Sequence, residues 1–87
     1  MLVFYSMSIK ILYFASLRER IGRGSDTIEM NDAANNPMCV MDAWKQATGL
    51  DELADNLLIA INQEYTSADA IVKDGDELAF FPPVTGG

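Results

Sequence analysis

The stretch DGDELAFFPPVTGG, residues 74–87, sets a charged turn, a short apolar run, two prolines and two glycines in immediate succession. Lys73, Asp74, Gly75 and Asp76 predict a turn in which Gly75 takes positive φ, and Glu77 to Phe81 predict a strand. Pro82 and Pro83 end that strand, because neither can donate to a sheet ladder, and they hold the chain extended. Val84, Thr85, Gly86 and Gly87 then bear no charge except the terminal carboxylate. Two residues without Cβ can thread a channel too narrow for ordinary side chains and deliver an α-carboxyl to a remote active site. A carboxylate is a poor electrophile; activation as an acyl-adenylate followed by nucleophilic attack makes it a carrier. The competing reading is a frayed, inert end.

Working outward from that strand, Ser8 to Phe14 places Ile9, Ile11 and Tyr13 on one side and Lys10, Leu12 and Phe14 on the other, as a strand with both faces partly covered does. Ala15 to Ile21 reads as a short helix or turn ending at Gly22 and Gly24, and Ser25 to Met30 as a second strand. Asn36 as N-cap with Pro37 at the first helical position opens the main helix. Its stripe of Val40, Met41, Trp44 and Ala47 runs to Gly49 and is read as core packing. Asp51 to Asn56 suggests a helical turn, Leu57 to Asn62 a buried strand near the middle of the sheet, and Gln63–Glu64 a turn toward Tyr65. The sum is an α+β domain, one mixed sheet crossed by one principal helix. Residues 1–7 read as an N-terminal extension, with Met7 a candidate original start, 8–81 as the domain and 82–87 as an extended tail.

At 87 residues the chain is a single domain that buries roughly 60% of the surface its unfolded form exposes. Thirteen acidic against six basic residues, a net charge of -7, disfavour nucleic acid and anionic membranes and suit a basic protein partner. One cysteine and no histidine leave no disulfide and no ordinary zinc set, which fits a reducing, cytoplasmic setting. The apolar start lacks a basic leader, contains Lys10, and falls short of the ~20 residues that span a bilayer. Asp51 with Glu52 and Asp74 with Asp76 are paired carboxylates whose ordinary role is solvation and turn formation. Cys39, read on the first helical turn, is either a buried structural thiol or one activated by the helix N-terminus. Gly22 and Gly24 around Arg23 make no complete phosphate loop.

Strand parity sets Phe14 opposite Ile9, Ile11 and Tyr13, and Phe81 opposite Leu78 and Phe80. If the helix covers the latter sets, Phe14 and Phe81, joined by Tyr65, form an exposed aromatic patch suited to a partner. Parity alone does not say which face the helix covers, so either aromatic could instead be core.

Taken together, KILYFASLRE (10–19) and DGDELAFFPPVTGG (74–87) resemble the small, sulfur-carrying subunits of molybdopterin synthase, relatives of ubiquitin with the β-grasp fold. Gly-Gly alone is shared by the whole carrier superfamily, whereas Gly75-Asp76-Glu77 leading through Phe80-Phe81-Pro82-Pro83 to Val84-Thr85-Gly86-Gly87 is characteristic of this branch. The resemblance implies that a ubiquitin-activating-type adenylyltransferase uses ATP to adenylate Gly87 and that a sulfurtransferase converts it to a thiocarboxylate. It further implies that the tail enters a large synthase subunit, in a heterotetramer, and passes sulfur to a cyclic pyranopterin monophosphate. The small subunit then binds no cofactor or metal and donates the reacting atom, with the catalytic side chains on the large subunit. Open alternatives are a thiamine-type carrier, usually shorter and without FFPPV, a ubiquitin-like modifier, and an interaction domain with an inert tail.

Overall fold

A computed structural model describes residues 7–30, 37–53 and 56–83; residues 1–6 of the extension, the Asn36 cap and Val84 to Gly87 lie outside the described residues. Strand β1 (Ser8–Tyr13) leads through helix α1 (Ser16–Ile21) to β2 (Ser25–Glu29), then β3 (Met38–Cys39) and helix α2 (Val40–Thr48). Four strands follow: β4 (Leu58–Ile61), β5 (Glu64–Thr66), β6 (Ile71–Val72) and β7 (Glu77–Phe81). Five of them form a mixed sheet in the order β2-β1-β7-β4-β5, and β3 pairs with β6 apart from it. β1 and β7 are parallel neighbours at the centre, so the two ends of the domain meet there; β2, β4 and β5 add antiparallel. This is the expected β-grasp arrangement.

The helix covers the face carrying Ile9, Ile11, Tyr13, Leu78 and Phe80, each at most 2% exposed. Val40, Ala43 and Trp44 of α2 and Leu17 of α1 complete the core. Trp44 stands edge-on to Phe80 at 4.8 Å between ring centres, and Tyr13 stacks on Phe80 at 6.3 Å. The Tyr13 hydroxyl donates to Asp26 Oδ2 at 2.8 Å, Asp26 pairs with Arg23, and Arg23 Nη2 donates to the Ala47 carbonyl at 2.7 Å. One polar chain thus ties β1, β2 and the end of α2.

Burial first, then the hydrogen bond and negative charge of Asp26, holds the Tyr13 phenol far above its ordinary range. A folded-state value raised in this way leaves its stabilisation whole below about pH 10 and removes it as pH climbs toward the raised value. Thermal unfolding followed from neutral to strongly alkaline pH is therefore expected to show a falling midpoint. Tyr13→Phe flattens that fall while lowering stability near neutrality through loss of the Asp26 bond.

The main helix starts later than Pro37 suggests. Met38 and Cys39 are drawn into pairing with Val72 and Ile71, which holds the chain extended, and Cys39 becomes the N-cap. Asp42 reaches back, accepting from the Cys39 N–H and S–H at 3.2 Å each, and those bonds, the backbone one first, hold its carboxyl below the usual range. The free N–H groups of Val40 and Met41 donate to the carbonyls of Ala70 and Ala68. Asp42→Ala is expected to cost about 1 kcal/mol in urea unfolding at neutral pH. Because the carboxyl is depressed, the difference from wild type disappears as pH falls through its folded-state value.

Two further expectations change and one holds. Asp51 and Glu52 are bends and not a helical turn, held there by the Trp44 Nε1 bond to the Glu52 carbonyl at 3.1 Å. β4 lies beside the central strand β7, near the middle of the sheet as expected. The turn after β4 is Asn62–Gln63, both at positive φ, so Glu64 already belongs to β5. Asn62 tolerates φ 51° because its side chain is tied on both ends: Nδ2 donates to Asp76 Oδ1 and Oδ1 accepts from the Glu77 N–H, each at 2.9 Å.

Candidate functional site

With the helix on one face of the sheet, the residues of opposite parity are left on the other. The register aligns Leu58 of β4 with Phe81 of β7, and Phe14 continues the parallel ladder by donating its N–H to the Phe80 carbonyl at 3.1 Å. Phe14 and Phe81 stack with ring centres 4.7 Å apart and planes 8° from parallel. Tyr65, carried by β5, meets Phe81 edge-on at 6.5 Å. Such pairs are attractive beyond the area they bury, so the patch holds its own shape.

Exposure matches a surface built to be covered: Phe14 is 41% exposed, Tyr65 76% and Leu58 36%. Ala60 and Ala79, cross-strand partners on this face, are buried, so their large neighbours rise above them and leave a shallow floor. Phe14, Ala15, Leu58, Tyr65, Phe81, Pro82 and Pro83 enclose an open hollow of about 400 Å³ with no charged group in its lining. β7 ends at Phe81, and Pro82 and Pro83 continue from the rim of that hollow.

Phe14, Tyr65, Phe81, Pro82 and Pro83 therefore come together. Val84, Thr85, Gly86 and Gly87 lie outside the described residues. Two members of the site were not foreseen. Leu58 belongs to the patch through its register with Phe81, and its place in the alternation of LLIAIN was the available signal. Ala15 turns the chain from β1 into α1 at φ 53°, an uncommon conformation for a residue with a side chain, and no sequence signal marks it.

The other chemical candidates resolve into structure. Asp76 Oδ2 accepts the Lys73 N–H within the turn, and Asp74 Oδ1 accepts the Ser8 N–H, tying that turn to the start of β1, both at 2.8 Å. Cys39 is a half-buried helix cap. Gly22 is the left-handed cap of α1. Among the described residues no group of three or more acidic, cysteine or histidine side chains could hold a metal, and no helix is long and apolar enough to cross a membrane.

The family model described as the ThiS family matches residues 11–87. The molybdopterin synthase sulfur carrier subunit of Arabidopsis thaliana is 37% identical to this chain, over 94% of it and 85% of that protein. The subunit of the same name from Haemophilus influenzae is 42% identical, over 91% and 99%. Among solved structures, SAMP1 from Haloferax volcanii superposes with a TM-score of 0.72 at 29% identity, over 92% of this chain and 99% of that one.

Proposed function

The chain belongs to the ThiS family, and from that premise we propose that it is the sulfur carrier subunit of a molybdopterin synthase. The observation that carries the reading is the root of the tail: an uncharged aromatic patch from which Pro82 and Pro83 leave the sheet. A carrier needs both parts side by side, a surface that seats the body on its partner and an arm that reaches the partner's active site.

The patch of Phe14, Tyr65 and Phe81 seats the chain on the large synthase subunit. The arm from Val84 to Gly87 presents the terminal carboxyl. An adenylyltransferase first joins that carboxylate to AMP from ATP, releasing pyrophosphate. The outer sulfur of a sulfurtransferase persulfide then displaces AMP to form an acyl disulfide, which a thiol cleaves, leaving the thiocarboxylate on the chain and a disulfide as the oxidised product. The resulting thiocarboxylate gives its sulfur to the cyclic pyranopterin monophosphate in the large subunit, whose side chains handle the protons. A dithiolene holds two sulfur atoms, so two charged carriers are consumed per product, consistent with a heterotetramer holding two small subunits. This chain contributes the reacting atom and needs no bound cofactor of its own.

Intact-mass measurement of the chain after incubation with ATP, the adenylyltransferase and the sulfur donor tests the charging step. A gain of about 16 Da, sulfur for oxygen, confined to the peptide ending in Gly87 is expected. An unchanged mass under conditions that charge a known carrier refutes it.

A further inference from the structure

On the helical side of the molecule, sharing no residue with the aromatic patch, lies a second concave surface of about 600 Å³ lined by α1, Trp44 and the loop 50–53. Its volume falls within the range of built ligand sites and suits one or two side chains. Leu17 and Trp44 form a buried base, Ile21 and Leu53 are half-buried beside them, and Leu50 stands 45% exposed. The wall is held in place: Gly49 N–H donates to the Lys45 carbonyl at 2.8 Å, Leu50 N–H to Thr48 Oγ1 at 3.1 Å, and Trp44 Nε1 to the Glu52 carbonyl. The groove is thus formed before anything enters it.

Its charges decide the occupant. Asp51, Glu52 and Arg20 line the groove, and among the described residues the one ion pair is Arg23–Asp26, so Arg20 bridges neither carboxylate and the lining is acidic by one charge. The chain as a whole carries -7. Apolar base and acidic rim together match an apolar side chain next to a basic one. Arg20, also in the lining, supplies donors for the main-chain carbonyls of an extended segment. We propose that this groove docks a partner protein through a short segment that sets leucine-like side chains beside lysine or arginine. Because Trp44 and Leu17 lie under the inner face of the sheet and Phe14 and Phe81 on the outer, both surfaces can be occupied at once. The site stands independently of whether the tail carries sulfur.

The test is an NMR titration of the isotopically labelled full chain with acetyl-Lys-Leu-Leu-Lys-amide. The indole N–H of Trp44, the sole tryptophan, is an unambiguous probe. Saturable shifts are expected there, at Ile21 and across Leu50 to Leu53. Replacing the peptide lysines by glutamate, or its leucines by serine, weakens binding roughly tenfold or more. Leu50→Asp, at an exposed position the fold does not need, and the double change Asp51→Asn with Glu52→Gln do the same, while Phe81→Ala leaves binding unaltered. The proposal is overturned by absence of saturable shifts up to about 10 mM peptide, by equal response to the glutamate peptide, or by shifts confined to Phe14, Tyr65 and Phe81. It is equally overturned if the same amides shift with protein concentration alone, which marks a second copy as the occupant.

Discussion

Deletion of Gly87 abolishes sulfur transfer and leaves the unfolding transition where it was. The two halves of that expectation have separate causes. Among the described residues the hydrophobic core ends at Phe80, and a glycine has no side chain to bury, so removal of Gly87 is expected to leave stability unchanged. Transfer, in contrast, depends on where the terminal acyl carbon sits. Shortening the arm by one residue withdraws it by about 3.5 Å, and displacements of even 1 Å at a reacting centre cost on the order of a hundredfold. Activity below about a thousandth of wild type is therefore expected, with circular dichroism and the urea midpoint unchanged. Retained transfer in the deletion variant supports an inert tail.

Two adjacent phenylalanines should fail in opposite ways. Phe80 is wholly buried, packed edge-on against Trp44 and stacked with Tyr13. Phe80→Ala leaves a cavity at the junction of sheet and helix and is expected to cost about 3–5 kcal/mol, comparable with the whole stability of many domains of this size. Phe81 points the other way, half-buried between Phe14 and Tyr65. Phe81→Ala is expected to lower stability by about 1 kcal/mol or less but to weaken association with the large subunit by roughly thirtyfold or more, as loss of a central aromatic anchor does. Urea unfolding and titration calorimetry separate the two. Unchanged affinity for Phe81→Ala contradicts the assignment of this face to the partner.

That contrast could be read from alternation alone, because strand side chains change face with every residue: Ile9, Ile11 and Tyr13 against Phe14, and Leu78 and Phe80 against Phe81. What alternation could not supply was the side the helix takes, which the packing of Trp44 on Phe80 decides. Gly22, Gly49 and Gly75 stand at positive φ as their turns and caps suggested. The start of α2 was misread because Pro37 suits a first helical turn equally well as the extended entry to β3, and the choice is made by Ile71 and Val72, over thirty residues away. β5 and β6 span three and two residues, too short for periodicity to register. Asn62–Gln63 turns the chain without glycine, relying on side-chain bonds to β7 that no local pattern announces. Alternation in LLIAIN sets the face that Leu58 takes, but its place beside Phe81 comes from the register, a non-local fact of the same kind. The order of strands, with β7 and β1 side by side, likewise follows from pairing between the chain's two ends and not from any single segment.

The most direct measurement of the carrier assignment combines the thiocarboxylated chain with the large synthase subunit and the cyclic pyranopterin monophosphate, and follows dithiolene formation by mass spectrometry. One dithiolene for every two charged chains, with each chain returned to its carboxylate form, is the expected result. A charged chain that binds the large subunit yet keeps its sulfur while the precursor stays unchanged contradicts the assignment and points to a carrier or modifier of another pathway.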